Sequence, residues 1–477
     1  TCSVCPVGFA CSEVGLVPNT TRMDSNWWRL DPNKMEARAC LNSAACPGGQ
    51  DYCSPGYGGP LCAVCDSGYT SGIAFECHKC SQASAAASGC FLAVAVLVVI
   101  GIVWYVVSDL HDTPVSIKPT GALGNIWAKV QAVPSGKLRA PIVVLQIVTQ
   151  YVAITGTRYP PLYQNFLAVA GVLTVNLQLV VSLGCLVSFD FYEYLLLVTI
   201  APLVIVALLG ASLAAAWRGI ARAAEVGPLQ RSSSRGVAES PMEPLESRWE
   251  RAAGKHWLVF MVFTFLMYST VSTAVFQTFA CDDLRDVGAE QYLRADYSIE
   301  CYTGKHKGFI IYAAVMALIY PIGIPVLYAW MMWRQRSHIA VDQAVPEATR
   351  LADKSIQTTR FLWLPYKREV FWWEVAECVR RLCLTGVLVF ILPGAIGQSA
   401  WACVFSVLSL LAVFYFSPHE DSMDAHVYGL GCMIIFCSMF FSLMIQAESA
   451  DNSGHAVSVL LVLLNMLMIA ATLVQCF

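Results

Sequence analysis

The chain has 477 residues, of which 57% are hydrophobic and 13% charged, with a formal net charge of −3. Soluble domains carry about 25% charged residues, so the composition sets the soluble classes aside and indicates a membrane protein. No basic run suggests a nucleic-acid partner.

Residues 1–85 read as an exposed head. Ten of the 20 cysteines fall here: Cys2, Cys5, Cys11, Cys40, Cys46, Cys53, Cys62, Cys65, Cys77 and Cys80. That density implies a disulfide framework in an oxidising compartment, with a pairing that spacing cannot give. Zinc is the rival reading, because Cys62-x2-Cys65 and Cys77-x2-Cys80 have knuckle spacing. The sequon Asn19-Thr20-Thr21 favours disulfides and an extracellular head, with Asn19 as a glycosylation acceptor. Opening on Thr1-Cys2 without a signal peptide and stopping inside an apolar run, the chain is expected to be a piece of something longer.

From Cys90 onward, apolar runs long enough to span occur at 91–108, 139–156, 195–217, 257–279, 309–333, 399–416, 425–446 and 455–475. A ninth is "FWWEVAECVRRLCLTGVLVFIL", 371–392, and a further apolar segment covers 162–187. The loops 218–255 and 334–370 each carry seven Lys or Arg, which places both in the cytoplasm. The loop 280–308 between them then lies outside, with Cys281 and Cys301 as a disulfide pair. An even number of crossings must separate 109–138 from 218–255, so one of three apolar segments does not cross. Segment 162–187 follows Pro160-Pro161 and carries Asn165, Asn176 and Gln178, which suits an interfacial or re-entrant piece.

The expected architecture is thus an all-α polytopic membrane protein of about nine helices with a small disulfide-rich extracellular domain. Its parts are the head (1–85), helices one to three with the re-entrant segment (86–221), a flexible cytoplasmic linker (222–255), and helices four to nine with the external hairpin (256–477). The N-terminus lies outside and the C-terminus inside, in the plasma membrane or a ciliary or internal membrane.

The run 371–392 carries the sharpest question. From Leu382 to Leu392, 11 apolar residues span only about 16 Å, whereas a helix counted from Phe371 reaches about 33 Å, enough for a hydrocarbon core of about 30 Å. Glu374, Glu377, Arg380 and Arg381 then enter the inner leaflet on one helical face, with Glu377 and Arg381 spaced i,i+4 for pairing. Two readings stand: arginines snorkelling to the headgroups, or a polar seam facing the bundle interior. "YPIGIP" places Pro321 and Pro325 mid-span, where a kink is expected. No P-loop, GxGxxG, HExxH or GxSxG occurs and the eight histidines are scattered, so neither enzyme, metal nor cofactor is expected.

Three strings, "VFQTFAC…YLRADYSIEC", "YPIGIPVLY" and "PYKREVFWWEVAECVRRLCLTGVLVFI", together resemble algal and protist membrane proteins related to the transient-receptor-potential-like channels. "CSPGYGGPLC" resembles the closing signature of an epidermal-growth-factor-like module, and "CSVCPVGFAC" the repeats of ephrin-receptor-like ectodomains. Fungal flavin-carrier-type proteins look like distant relatives. The resemblance implies a calcium-permeable or other cation channel, or a lipid- or metabolite-linked transporter. A receptor-like adhesion anchor is the alternative reading, a transporter the third. Candidate partners are the bilayer, an extracellular protein reached through residues 1–85, and a second copy of the chain. One feature departs from a standard channel: only about eight residues (447–454) separate the last two spans, too few for a pore helix of two or three turns.

Overall fold

The computed structural model describes residues 5–11, 17–31, 33–49, 53–72, 75–81, 137–157, 159–174, 185, 190–230, 245–285, 290–342, 344–391, 396–447 and 454–476, with single positions at 86, 90, 93, 97 and 101. Cys2, most of the run 91–108 and, apart from Cys185, residues 175–187 of the segment 162–187 therefore lie outside the described residues.

Within the described residues the apolar runs are helices: α1 (Arg139–Thr155), α2 (Pro161–Leu173), α3 (Phe191–Gln230), α4 (Leu245–Gln277), α5 (Gly304–Ala317), α6 (Gly323–Arg334), α7 (Trp373–Leu384), α8 (Ile396–Phe416), α9 (Ser422–Gln446) and α10 (Gly454–Cys476). Among the described residues, six segments are long and apolar enough to cross a bilayer by length and composition: Phe191–Arg222, Trp249–Gln277, Gly304–Arg334, Ile396–Phe416, Ser422–Gln446 and Ala456–Gln475. Helix α1 is shorter, at 17 residues, and most of its residues are buried, polar Gln146, Thr149 and Gln150 included. It packs against α2, α4, α7, α9 and α10 and so forms the centre of the bundle. The periphery turns apolar side chains outward, as lipid contact requires: Leu197, Ile200 and Leu208 on α3, Ile311 and Val315 on α5, and Val404, Leu408 and Leu411 on α8.

Two departures from regular helix have local causes. Between α5 and α6, Leu318–Ile322 forms a π-helical turn that contains Pro321. A Cβ at position 323 would stand 2.8 Å from the Leu318 carbonyl oxygen, so the widened turn needs Gly323. Pro325 is buried in the first turn of α6.

The second departure corrects the reading of 371–392 as one continuous helix. Helix α7 has 12 residues and stops at Leu384. Thr385 leaves helical geometry (φ −124°, ψ −80°), and its hydroxyl donates back to the Arg381 carbonyl at 2.7 Å. At Gly386 the ring of Phe276 comes within 2.2 Å of where a Cβ would sit. The chain then continues as a 3₁₀ turn, Val387–Phe390, with Phe390 edge-on to Phe276 at 5.5 Å. The Gln398 side-chain amide donates to the buried Leu388 carbonyl at 2.5 Å. The stretch thus runs from the Arg139 end of the bundle to the outer end of α4 in two pieces.

The head is built from four two-stranded ladders: Phe9–Ala10 with Arg22–Met23, Trp27–Trp28 with Arg38–Ala39, Tyr57–Gly58 with Val64–Cys65, and Tyr69–Ser71 with Cys77–Lys79. Disulfides join Cys5–Cys11, Cys40–Cys46, Cys53–Cys62 and Cys65–Cys77. Cys80 bonds Cys185, just before α3, and so ties the head to the bundle. These bonds remove the zinc alternative, because all four knuckle sulfurs are spent. A small domain of this size lacks core enough to stand alone and is stapled accordingly. Asn19 is exposed on a 3₁₀ turn, while the Thr21 hydroxyl of its sequon donates to the Val17 carbonyl.

The head rests on a three-stranded sheet of the hairpin (Cys281–Asp283, Gln291–Leu293, Asp296–Glu300) pinned by Cys281–Cys301. Leu284 and Tyr297 share one apolar cluster with Trp28, Leu61 and Ala63. Gly156, the left-handed cap that ends α1, lies beside Phe75 of the head. The end of α1 after Arg139, and Cys185 after α2, are therefore both on the head side.

Candidate functional site

The site lies at the other end of the bundle. On α7 the spacing 374, 377, 380, 381 puts two acids and two arginines on one face, and all four are buried. Arg381 is fully enclosed and Arg380 only 8% exposed, so neither snorkels. The i,i+4 pair Glu377–Arg381 does not form. Arg380 instead grips Glu377 side-on, through Nε to Oε2 at 3.0 Å and Nη2 to Oε1 at 2.6 Å. Arg381 reaches back two turns, its Nη2 donating to Glu374 Oε1 at 3.0 Å and its Nη1 to the Phe265 carbonyl at 3.4 Å.

The partners that redirect these pairs come from other elements. Arg139, at the start of α1, donates Nη1 to Glu374 Oε2 at 3.0 Å, and Tyr366 donates its hydroxyl to the same oxygen at 2.9 Å. Tyr428 of α9 donates to Glu377 Oε2. Phe361 stacks under the Arg139 guanidinium at 3.6 Å, and Phe265 under that of Arg381 at 4.3 Å. Three guanidinium groups therefore meet two carboxylates inside an apolar bundle. Such a cluster is tolerated only when its charges are paired and hydrogen-bonded.

A cavity of about 30 Å³ opens beside this cluster, lined among others by Lys137, Arg139, Tyr366, His419, Tyr428 and Gln475. Lys137 stands at its mouth, 3.2 Å from Asp421 and 3.7 Å from Asp424. His419, in the turn between α8 and α9, packs on Tyr428 and Tyr366. Burial pushes its imidazole down from 6.5 to about 4, with Glu377 opposing the shift and Arg139 and Lys367 adding to it.

The sign of the resulting pH dependence follows from linkage. The unfolded chain takes up the proton first, so the His419 contribution is intact above pH 6.5 and is lost as pH falls from there towards about 4. The full loss is about 3 kcal/mol. Replacing His419 with Phe is expected to flatten the fall in melting temperature between pH 7 and pH 4.5, measured in detergent. An unchanged slope would place the acid sensitivity elsewhere.

A polar line continues from the cluster along α1. Gln146 donates to the Leu266 carbonyl at 2.8 Å and Gln150 to the Thr270 hydroxyl at 3.2 Å. Tyr151 reaches Ser399 at 2.7 Å and Ser442 at 3.0 Å, and Gln446 donates to Thr157 at 2.9 Å near the head end. Ser269, Ser272 and Thr273 of α4 bury hydroxyls that meet no partner among the described residues. Asn465 is buried on α10 and donates to the Leu461 carbonyl.

The chain matches no protein-family model, no curated protein and no solved structure. Function therefore rests on the geometry. Two other groupings of ligand-type residues are accounted for without a metal. Cys40, Cys46 and Cys62 are all in disulfides, and His306, beside Cys281–Cys301, accepts from the Tyr302 N–H at 2.9 Å and faces the Thr278 carbonyl at 3.1 Å. Two acids of the hairpin are engaged as well: Asp282 takes Arg294 and Tyr297, and Asp283 takes Arg285 and Gln291.

Sequence reasoning missed Arg139, Tyr366, Tyr428 and His419. Arg139 is merely the first residue of an apolar run, and its partner, Glu374, is 235 residues away. The one local sign was that Arg139 begins a short span that also carries Gln146, Thr149 and Gln150.

Proposed function

We propose that this polytopic membrane protein is a cation channel of the transient-receptor-potential-like class, with its epidermal-growth-factor-like, glycosylated head outside the plasma membrane. The observation that carries the reading is the buried charge cluster and the polar line leading from it along α1. Ionisable residues inside a membrane bundle are costly and most often serve a path or a gate. On this reading the ion follows the polar face shared by α1 and α4 rather than a pore between the last two helices. The Arg139–Glu374–Arg381 bridge then closes its inner end and must part for conduction.

Patch-clamp recording of the full chain in liposomes tests it. Cation conductance under stretch, voltage or calcium is expected; silence under all three sinks the channel reading.

The second reading is a receptor-like anchor whose head binds an extracellular protein. The docking of the head on the hairpin and the Cys80–Cys185 bond favour a head that is mechanically part of the membrane core. Deleting residues 1–85 together with Cys185→Ser separates the two: a channel core keeps its conductance, whereas an anchor loses its partner and nothing else.

A further inference from the structure

Helix α5, the π-helical turn and α6 form one segment of 31 residues that leaves the hairpin at Gly304 and ends at Arg334, on the face of the bundle away from the head. Its outward side carries an apolar line: Leu318, Ile322, Val326, Trp330 and Trp333 stand three or four residues apart and all are exposed. From Ile322 to Trp333 the helical rise is about 16 Å, half of a hydrocarbon core of about 30 Å. The line thus spans one leaflet and ends in two tryptophans that are 57% and 64% exposed. A guanidinium lies over each ring, Arg334 at 5.6 Å from the Trp330 centroid and Arg336 at 4.6 Å from that of Trp333. Both arginines are exposed, and neither guanidinium makes an ion pair or a hydrogen bond among the described residues. Basic groups nearby are paired: Lys354 with Glu250, His338 with Asp353, and Arg368 with Glu347.

We propose that Arg334 and Arg336 bind the phosphate of an anionic glycerophospholipid in the leaflet opposite the head, with one acyl chain laid along Ile322, Val326 and Trp330. Depth is the first argument. Tryptophans at the end of a span sit at headgroup level, so stacking on them holds both guanidinium groups beside the lipid phosphates. Charge is the second. The pair brings two positive charges with no carboxylate against them, which a zwitterionic lipid cannot balance and an anionic one can. A planar guanidinium also takes phosphate oxygens two at a time. Continuity is the third, because the apolar line runs straight into the basic pair. A soluble acidic peptide would leave Ile322 and Val326 uncovered, whereas one lipid molecule covers the line and meets the charge. The site shares no residue with the buried cluster and does not depend on the channel reading.

The test places the full chain in phosphatidylcholine vesicles that carry a small fixed fraction of acyl-brominated lipid, and reads the quenching of tryptophan fluorescence. The difference between the wild type and the double variant Trp330→Phe, Trp333→Phe isolates the two tryptophans of the site. Brominated phosphatidylserine is expected to quench them as though enriched about tenfold over brominated phosphatidylcholine at the same fraction. Arg334→Gln with Arg336→Gln is expected to bring the two lipids level. Raising salt from about 50 to about 500 mM is expected to shrink the preference of the wild type. Equal quenching by the two lipids would make the pair an unselective interfacial belt and overturns the proposal, as does an anionic preference that survives the glutamine variant. Should that variant fail to fold, the salt series on the wild type decides, and a preference indifferent to salt overturns the proposal.

Discussion

Glu374→Leu is expected to destabilise the folded chain by about 3–5 kcal/mol, because it strands buried charges in an apolar bundle. Glu374 is the acceptor for Arg139, Arg381 and Tyr366 together. Its loss leaves Arg381, which is fully enclosed, with only the Phe265 carbonyl at 3.4 Å. The triple change Arg139→Met, Glu374→Leu, Arg381→Met is expected to recover most of that loss, since well-packed apolar residues often replace a buried ion cluster at little cost. The contrast is informative in itself. If the triple variant is stable yet silent in liposomes, the cluster is there for conduction and not for folding. Chemical denaturation in mixed micelles gives the stabilities, and a Glu374→Leu midpoint equal to that of the wild type would show that the cluster is hydrated and open.

Much of the bundle could be read from the chain, because lipid imposes a simple rule: long apolar runs must be helices. The runs 195–217, 399–416, 425–446 and 455–475 lie within helices α3, α8, α9 and α10, and 257–279 overruns the end of α4 by two residues. The four charges of α7 could be placed on one face from spacing alone. What could not be read depends on contacts distant in sequence. The break after Leu384 is set by Phe276 pressing on Gly386, more than a hundred residues earlier in the chain. The Glu374–Arg381 pair prevails over the i,i+4 pair because Arg139 and Tyr366 fix Glu374, and Tyr428 with Arg380 fixes Glu377. Cys185 sits inside a run that reads as membrane-embedded, so its bond to Cys80, 105 residues away, has no local signal. Local periodicity reports which face is apolar and says nothing of which neighbour will meet it.

Docking of the head gives the second large effect, and Tyr297 is where to break it. This side chain is 1% exposed, meets Phe75 of the head edge-on at 5.5 Å, and donates its hydroxyl to Asp282. It stands in the cluster formed by Trp28, Leu61 and Ala63 from the head and Leu284 from the hairpin. Truncating a buried aromatic costs about 3–5 kcal/mol. Taken against docking alone, that is roughly a hundredfold to a few thousandfold in the docked fraction. Tyr297→Phe keeps the ring and loses one hydrogen bond, and Asp282 still holds Arg294, so its cost is about 1 kcal/mol. Tyr297→Ala is therefore expected to expose the docked face of the head around Trp28, Leu61 and Phe75 to protease while Cys80–Cys185 keeps the head tethered, and Tyr297→Phe is not. Equal cleavage rates for both variants and the wild type would mean that the disulfide alone holds the head in place. If the head instead undocks and conduction changes with it, the hairpin is the route by which an event outside reaches the bundle. Cys281–Cys301 and the His306 bond to the Thr278 carbonyl connect that sheet directly to the end of α4, the helix whose Phe265 carbonyl receives Arg381.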